Sequence, residues 1–309
     1  MAFRIYIIHI IYRLYFILLI FVYPKRVPYI CRMSVLLFTI IVLLGAFLAG
    51  LLGSLTGLGG GVIIIPLLTL ALGVDIHYAI GASIVSVIAT SSGSAAAYVK
   101  EGITNIRIGM FLEIATTIGA VCGAIVAVYL NANYIAIIFG CILIFSAIMT
   151  LKKKVDHSTL DDSDRWAKFF KLNGSYPDKG VEHKYAVRNV PGGFLMMLFA
   201  GTLSGLLGIG SGALKVIAMD NIMRLPFKVS TTTSNFMMGV TAAASAVVYL
   251  HRGQIDPGIA MPVCIGVLTG ASLGSKVLLR TKTDKLKIVF AIVVTFLALQ
   301  MIYKGISGL

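Results

Sequence analysis

The sequence predicts an all-α integral membrane protein made of two inverted repeats of about five helical segments each, with broken, re-entrant hairpins at glycine turns. Hydrophobic residues make up 58% of its 309 residues and charged residues only 12%, against about 25% charged in soluble proteins. The chain has two long apolar blocks, and a shift of 151 residues aligns the glycines of one with those of the other. Such internal repeats are typical of transporter folds.

This composition excludes a soluble globular domain, a disordered chain and a disulfide scaffold. A net charge of +14 would indicate nucleic-acid binding in a soluble protein. Here most basic residues lie between apolar runs, where they set topology and contact anionic lipid. We therefore expect the lipid bilayer and no nucleic acid as a partner. The four cysteines form no CxxC pair and no HExxH motif exists, so we expect no metal, no cofactor and no catalytic centre.

Residues 1–32 form an apolar and basic leader without a counterpart in the second block. A spanning helix over about 5–23 would place Lys25, Arg26 and Arg32 outside, against the positive-inside rule. No small-residue cleavage site indicates a signal peptide. We favour the hypothesis that translation starts at Met33, which mass spectrometry of the intact native protein would test.

Residues 33–151 are interpreted as the first transmembrane repeat and 191–309 as the second. Apolar runs of the first predict helical segments over 34–56, 61–73, 79–99, 107–130 and 134–151. The second segment would extend only ~20 Å at 1.5 Å per residue, less than the ~30 Å hydrocarbon core. The first two segments therefore form a predicted hairpin around a glycine turn. An odd number of segments gives the repeats opposite orientations.

The polar segment 152–190 separates the repeats. If it is cytoplasmic, the predicted cytoplasmic connections hold eighteen Lys and Arg residues, and the opposite side, counted from residue 33, holds only Arg252 and Lys304. This asymmetry follows the positive-inside rule and predicts a multi-pass plasma-membrane protein. Within the segment, aromatic residues at 166, 169 and 170 share one helical face. That face indicates either a helix on the membrane surface or an ordinary solvated linker.

Two glycine turns stand in matched register. Glycine adopts positive φ and leaves backbone N–H groups unshielded, and a following helix N-terminus favours negative charge. Two such turns near the midplane would suit a small anion. The alternative is that these glycines only permit close helix packing, but the matched register favours a site. The predicted substrate-binding residues of the turns are Gly57, Gly59, Gly60, Gly61, Gly208, Gly210, Ser211 and Gly212.

Lys215 is the basic residue that does not fit the topology signal, because it lies inside an apolar run. An ionisable residue in a membrane segment indicates function, so we predict that Lys215 attracts the substrate. The alternative is that it snorkels or faces backbone carbonyls of a neighbouring helix. Asp220 is a doubtful partner, because five residues along a helix place the two side chains about 140° apart.

A polar stretch opens the next segment of the second repeat. Capping explains one or two of its hydroxyls, and the rest are predicted to line the pathway together with Ser83 of the first repeat. Ser86, Thr90, Ser91 and Ser92 are interpreted as interhelical hydrogen-bonding residues. The stretch adds to the predicted substrate site Thr232, Thr233, Ser234 and Asn235.

Glu113 is a carboxylate within a predicted span. A buried carboxyl can carry a coupling proton, and Glu113 is our candidate for that role. It has Cys264 as its counterpart in the second repeat, so an interfacial position is the alternative.

The two turns, together with Gly81-Ala82-Ser83 and Thr232-Thr233-Ser234-Asn235, resemble the sulfite exporter TauE/SafE family (DUF81) from about Met33 to Lys304. The resemblance implies a multi-pass permease for small anions, chiefly sulfite or organosulfonates. The chain departs from the usual second motif by Gly210-Ser211-Gly212 in place of a glycine triplet, by Lys215, and by Ala218 near where a proline often follows.

From these observations we expect a secondary transporter that moves a small anion outward by alternating access. An anion channel with the same site is the first alternative, and a non-transport membrane enzyme or assembly partner is the second. The sequence leaves a homodimer open.

Overall fold

The computed structural model describes residues 35–56, 59–100, 102–151, 164–178, 181–278 and 284–308. The leader 1–32 and Gly57, which carries a site prediction, lie outside these residues. Residues 1–41 group apart from a compact unit over 42–309. Of the first group, only the beginning of helix α1 is described.

The described part of the first block is helical throughout. Its elements are α1 (Val35–Thr56), α2 (Gly61–Pro66) with a π-helical continuation (Leu67–Ala71), α3 (Ile76–Lys100), α4 (Ile106–Tyr129) and α5 (Ala132–Leu151). The bounds agree within three residues with the predicted segments. The α2 unit of 11 residues extends about 16 Å, so it is too short to span a bilayer.

The second block repeats this order. Its elements are α7 (Val190–Leu207), α8 (Gly212–Ile217) with a π-helical continuation (Ala218–Ile222), α9 (Phe227–His251), α10 (Pro257–Leu278) and α11 (Asp284–Ser307). A shift of 151 residues carries α2, its π-helical turn and α3 onto α8, its π-helical turn and α9 without any difference in bounds. The sequence repeat is therefore also a repeat of secondary structure.

Seven described helices contain a stretch long and apolar enough to cross a membrane, namely α1, α3, α4, α5, α7, α9 and α10. The described apolar part of α11, from Ala291 to Ser307, is shorter. This confirms the predicted all-α membrane protein. Exposed side chains on these helices are largely aliphatic, including Leu44, Ile118 and Val247, as a lipid-facing surface requires.

Helices of the first block pack mainly on helices of the second block. α4 packs on α7, α3 on α9 and α5 on α11, and glycines bring α1 and α10 together. A Cβ on Gly123 of α4 would overlap the Thr202 carbonyl of α7, and one on Gly270 of α10 would overlap the Phe47 carbonyl of α1. A pseudo-twofold axis would pair elements in this way. The opposite orientation of the repeats in the membrane stays a prediction.

The described part of the segment 152–190 is folded. It holds a short helix α6 (Arg165–Phe169) and an antiparallel hairpin of β1 (Gly174–Asp178) and β2 (Val181–Tyr185). Buried residues of this segment share one core with α4, α7, α9 and the π-helical turn after α8, so a solvated linker does not describe it. Trp166 and Phe169 remain exposed on α6.

Asn105, just before α4, anchors this segment. Its Nδ2 donates to Leu172 O at 3.2 Å and to Tyr185 Oη at 2.7 Å, and its Oδ1 caps α4 by accepting from Ile108 N. Burial raises the pKa of Tyr185 to about 12, so its hydroxyl stays neutral at physiological pH.

Candidate substrate site

Both glycine turns contain residues with positive backbone φ angles. Gly59 has φ +79°, and its counterpart Gly210 has φ +73°. The second turn also holds Gly208 at φ +65° and Ser211 at φ +44°. Glycine adopts this left-handed region without the steric cost that a Cβ brings. Gly59 and Gly210 therefore share one conformation before a short helix, whereas Gly60, the counterpart of Ser211, has φ −67°.

Those short helices begin with unpaired backbone donors. In α8 the first intrahelical bond runs from Lys215 N to Ser211 O, which leaves the N–H groups of Gly212, Ala213 and Leu214 without an intrahelical acceptor. No side chain caps either helix. The backbone N–H groups at the start of α8 are therefore available to donate hydrogen bonds.

The two turns lie against each other. A Cβ on Gly61 would lie 3.0 Å from Gly208 O, and one on Gly59 would lie 3.7 Å from Ile209 O. Ser83 Oγ of α3 donates to Gly208 O at 2.6 Å. The first block therefore reaches directly into the turn of the second, and the turns leave no room between them for a bulky group.

Helix α9 contacts this junction from the other side. Ser234 Oγ donates to Gly212 O at 3.2 Å, and Met238 approaches both Gly59 and Gly210. Asn235 lies between these two contacts in sequence and is fully buried, and neither its Oδ1 nor its Nδ2 has a partner among the described residues. A buried amide without partners is rare in proteins, so Asn235 calls for a ligand or water.

Ser211 is a second buried polar side chain of this kind. It is 4% exposed, and its Oγ has no partner in the described part of the chain. Ser211 lines a small cavity between the second turn, the start of α2 and helix α5. The other residues that line the cavity are Val62, Ile142, Leu143, Phe145, Ser146, Ile209, Gly212, Ala213 and Leu214.

Thr232 and Thr233, two other residues of the predicted stretch, bond elsewhere. Thr232 Oγ1 donates to carbonyls of its own helix at Lys228 and Val229. Thr233 Oγ1 accepts from Asn105 N at 3.1 Å. Their described bonds are those of helix and loop anchoring, so they give no direct support to a pathway role.

Of the four hydroxyls interpreted as interhelical, Ser91 is the one with a described bond to another helix. Its Oγ donates to Asn235 O at 2.6 Å and accepts from Gly239 N at 3.0 Å. Ser86, Thr90 and Ser92 donate to carbonyls of α3 itself. The interhelical interpretation is thus confirmed for Ser91. It is wrong for the other three hydroxyls, whose described bonds stay within α3, because a hydroxyl on a helix readily bonds the carbonyl one turn back.

Lys215 is fully buried, and its Nζ donates to Thr241 Oγ1 of α9 at 2.6 Å. Thr241 Oγ1 also lies 2.6 Å from Glu113 Oε1 of α4. Glu113 is 6% exposed, and its Oε2 has no described partner. Thr241 rather than Asp220 is therefore the described acceptor of Lys215.

Sequence reasoning treated Lys215 and Glu113 separately and missed Thr241 as their link. One signal was available, because Thr241 aligns with Thr90 in the 151-residue register. That alignment marks a polar position in both blocks, but it does not say which side chains meet there.

The described residues hold no group of three or more His, Cys, Asp or Glu side chains that could bind a metal ion. Apart from the Glu113 carboxylate, which accepts from Thr241, the polar groups described above are hydroxyls, an amide, backbone N–H groups and one ammonium. This set donates hydrogen bonds and so suits an anion.

The model of the family described as "Sulfite exporter TauE/SafE" matches residues 42–301, which is most of the chain. The chain belongs to this family. The TauE/SafE match covers both glycine turns, Glu113, Lys215 and Thr241.

Curated proteins similar to this TauE/SafE chain carry transporter names. "Probable membrane transporter protein YunE" of Bacillus subtilis (strain 168) is 29% identical over 276 residues, which cover 87% of this chain and 98% of that protein. "Probable membrane transporter protein YdhB" of the same organism is 25% identical over 244 residues, 76% of this chain and 89% of that protein. No solved structure matches the chain significantly.

A relative from Methanocaldococcus jannaschii, "Probable membrane transporter protein MJ0441", is 23% identical over 282 residues, 86% of this chain and 96% of that protein. With the seven candidate spans, these matches identify this TauE/SafE chain as a multi-pass membrane transporter of the plasma membrane. Its substrate and mechanism are matters of proposal.

Proposed function

We propose that the protein is a secondary transporter that exports a small oxyanion, such as sulfite or an organosulfonate, by alternating access. The observation that carries this proposal is Lys215, a fully buried lysine whose one described hydrogen bond goes to a neutral hydroxyl. An ammonium has three donors. Two of them are available for an anion.

The groups near the turns suit an oxyanion. The proposed site combines Lys215 with the unpaired side chains of Asn235 and Ser211 and with the free N–H groups at the start of α8. A sulfite or sulfonate group presents three oxygens that accept hydrogen bonds from several directions. Groups that lack described partners would gain them when the anion binds, which favours binding in a region without water.

The substrate class and the outward direction rest on the family resemblance. The family description names sulfite, whereas the similar proteins are named only as transporters. The charge of Lys215 and the donors around it support an anion in general. We take a pyramidal or tetrahedral sulfur oxyanion as the class to test first.

The contact between the two blocks supports a carrier with alternating access rather than a channel with an open pore. Ser83 of α3 bonds the carbonyl of Gly208, and the glycine turns touch. A substrate between the turns would require Ser83 and Gly208 to separate. We propose that this separation alternates between the two sides of the membrane.

The test is counterflow of radiolabelled sulfite in proteoliposomes that contain the purified protein, under oxygen-free conditions. We expect saturable exchange for the wild type and a loss of about tenfold or more in initial rate for Lys215→Gln, because removal of a buried charge costs several kcal/mol of binding. Lys184→Gln, on the exposed hairpin, is the matched control and should exchange like the wild type.

Three results would contradict the proposal. Currents that rise linearly with voltage, without counterflow, would identify a channel. Full exchange by Lys215→Gln would remove Lys215 from the site. The third result combines two observations: no sulfur oxyanion crosses the membrane, and deletion of the segment 164–190 has the same effect on cells as loss of the whole protein. An assembly role would then replace transport.

A further inference from the structure

Glu113 and Lys215 are two of three buried charged residues in the described part of the chain that break the repeat; the third, Asp220, lies on the π-helical turn after α8 and has Thr69 as its counterpart in the first block. Glu113 has Cys264 as its counterpart, and Lys215 has Ile64. Both side chains are buried. A buried ion is strongly disfavoured unless an opposite charge or several hydrogen bonds compensate it. The two blocks therefore share the same order of helices, but each of these two charged residues occurs in one block only. Glu113 lies on α4 of the first block, and Lys215 lies on α8 of the second.

Thr241 joins these two residues and has a choice of acceptors. Its hydroxyl accepts a hydrogen bond from Lys215 Nζ and holds one proton of its own. That proton can go to Glu113 Oε1 at 2.6 Å or to Met237 O at 3.0 Å. Thr241 can therefore release Glu113 without losing a hydrogen bond.

Other titratable groups lie on the elements packed around the pair. Helix α7 carries none. Those on α4, α5, α8 with its π-helical turn, and α9 are Arg107, Cys122, Tyr129, Tyr134, Cys141, Asp220, Lys228, Tyr249 and His251. Glu113 and Lys215 can carry opposite charges, and both side chains bond the hydroxyl of Thr241 at 2.6 Å. The two charges thus balance each other.

We propose that Glu113 binds the proton that is transported together with the anion held by Lys215. This inference rests on the proposed anion transport. In the empty carrier, the ammonium of Lys215 and the carboxylate of Glu113 sum to zero. An anion that takes over Lys215 leaves Glu113 as an unbalanced buried charge. Uptake of one proton by Glu113 restores neutrality, so one anion and one proton bind together.

The step requires only proton and hydrogen-bond exchange. A proton from water adds to Glu113 Oε2, the oxygen without a described partner. The Thr241 hydroxyl turns its proton from Glu113 Oε1 to Met237 O, and Lys215 Nζ turns donors toward the anion. No bond within the anion forms or breaks. Release on the other side reverses each exchange.

The charge balance predicts how transport responds to two driving forces. A monovalent anion and a proton cross as a neutral pair, so a pH gradient drives transport and a membrane potential does not. A carrier for the anion alone would respond in the opposite way. When the outside is acid, net export of this neutral pair requires an outward gradient of the anion that exceeds the inward gradient of protons.

The experiment uses full-length protein in proteoliposomes and radiolabelled methanesulfonate, a monovalent organosulfonate that stays ionised in water. One arm imposes a pH gradient of one unit, acid outside. The other imposes a potassium diffusion potential with valinomycin. For the wild type we expect about tenfold accumulation from the pH gradient, since one unit is a factor of ten at equilibrium, and no accumulation from the potential, whether positive or negative inside.

Glu113→Gln keeps the size and a hydrogen-bonding group but cannot take up the proton. We expect this variant to retain methanesulfonate exchange, which also shows that it folds, to lose accumulation from the pH gradient and to accumulate with a potential that is positive inside. Glu182→Gln removes an exposed carboxylate of the hairpin and should behave like the wild type.

Three outcomes are distinguishable. Absence of methanesulfonate exchange by the wild type overturns the proposed function and this inference with it. Wild-type exchange that follows the potential and ignores the pH gradient overturns the inference and leaves the proposed function standing. Accumulation by Glu113→Gln from the pH gradient at the wild-type level removes Glu113 from the coupling role.

Discussion

Thr241 shows how one residue can matter more for its position than for its own chemistry. It touches Lys215 on one side and Glu113 on the other, and these residues come from α8 and α4. A small hydroxyl is what both contacts require. The methyl group of threonine takes no part in either.

Replacement of Thr241 by valine keeps the side-chain volume and removes the hydroxyl. We expect Thr241→Val to lower the counterflow rate by about tenfold or more, because it leaves both charged groups without their shared hydrogen bonds. Thr241→Ser keeps the hydroxyl and should stay within about twofold of the wild type. A valine variant as active as the serine variant would show that Thr241 does not link the two charges.

The charge balance between Lys215 and Glu113 predicts non-additive stability. Either Lys215→Met or Glu113→Gln alone leaves the other charge unbalanced in a buried site. We expect the double variant to be less destabilised than the sum of the single variants, by about 0.5–3 kcal/mol. Thermal unfolding of the four proteins in detergent measures this coupling. Strictly additive losses would mean that the two charges do not interact.

At the scale of elements, the glycine turn before α8 combines two constraints. Gly210 has φ +73° and its surroundings are crowded, since a Cβ there would lie 2.8 Å from Val87 Cγ1. Gly253 has a similar φ of +68°, but no atom lies within 4 Å of a Cβ there. A substitution at Gly253 therefore measures the cost of backbone strain alone, whereas one at Gly210 measures strain and crowding together.

Alanine at these two glycines tests the role of crowding at the turn. Gly253→Ala should cost about 1–2 kcal/mol of stability, the strain of a left-handed residue, and leave transport unchanged. Gly210→Ala should cost more and reduce counterflow, because it also pushes the turn away from α3. Equal effects of the two substitutions on both readouts would contradict a tightly packed turn.

Glycine also sets the contact between α4 and α7. A Cβ on Gly123 would overlap the carbonyl oxygen of Thr202, whereas one on Gly93 of α3 would make only ordinary contacts of 3.5 Å or more. We expect Gly123→Ala to destabilise the protein by about 1–3 kcal/mol as the helices move apart. Gly93→Ala should be neutral or slightly stabilising. Thermal unfolding compares the two, and a stable Gly123→Ala would contradict the close approach.

At the scale of the whole molecule, the sequence predicted most of the helical architecture. Apolar runs of about twenty residues mark spans because backbone groups in lipid must bond within a helix. The 151-residue register marks the repeated elements because both blocks need glycine at the same turns and contacts. Helix bounds could therefore be predicted to within three residues.

What the sequence could not predict is which side chains meet across helices. Glu113 and Lys215 are 102 residues apart, and the periodicity of each helix says nothing about the angle at which it crosses another. The folded segment over 164–190 was missed for a similar reason. Its buried residues pack against α4, α7, α9 and the π-helical turn after α8, so its own short elements carry weak signals.

Lys215 is the residue proposed to hold the transported anion. Direct binding of sulfite to the purified wild-type protein, Lys215→Gln and Lys184→Gln, measured by calorimetry in oxygen-free detergent solution, tests this role most directly. We expect saturable binding of one sulfite per chain by the wild type and Lys184→Gln, and binding weaker by about tenfold or more for Lys215→Gln. Equal affinity of all three proteins, or no binding by the wild type, would contradict this role.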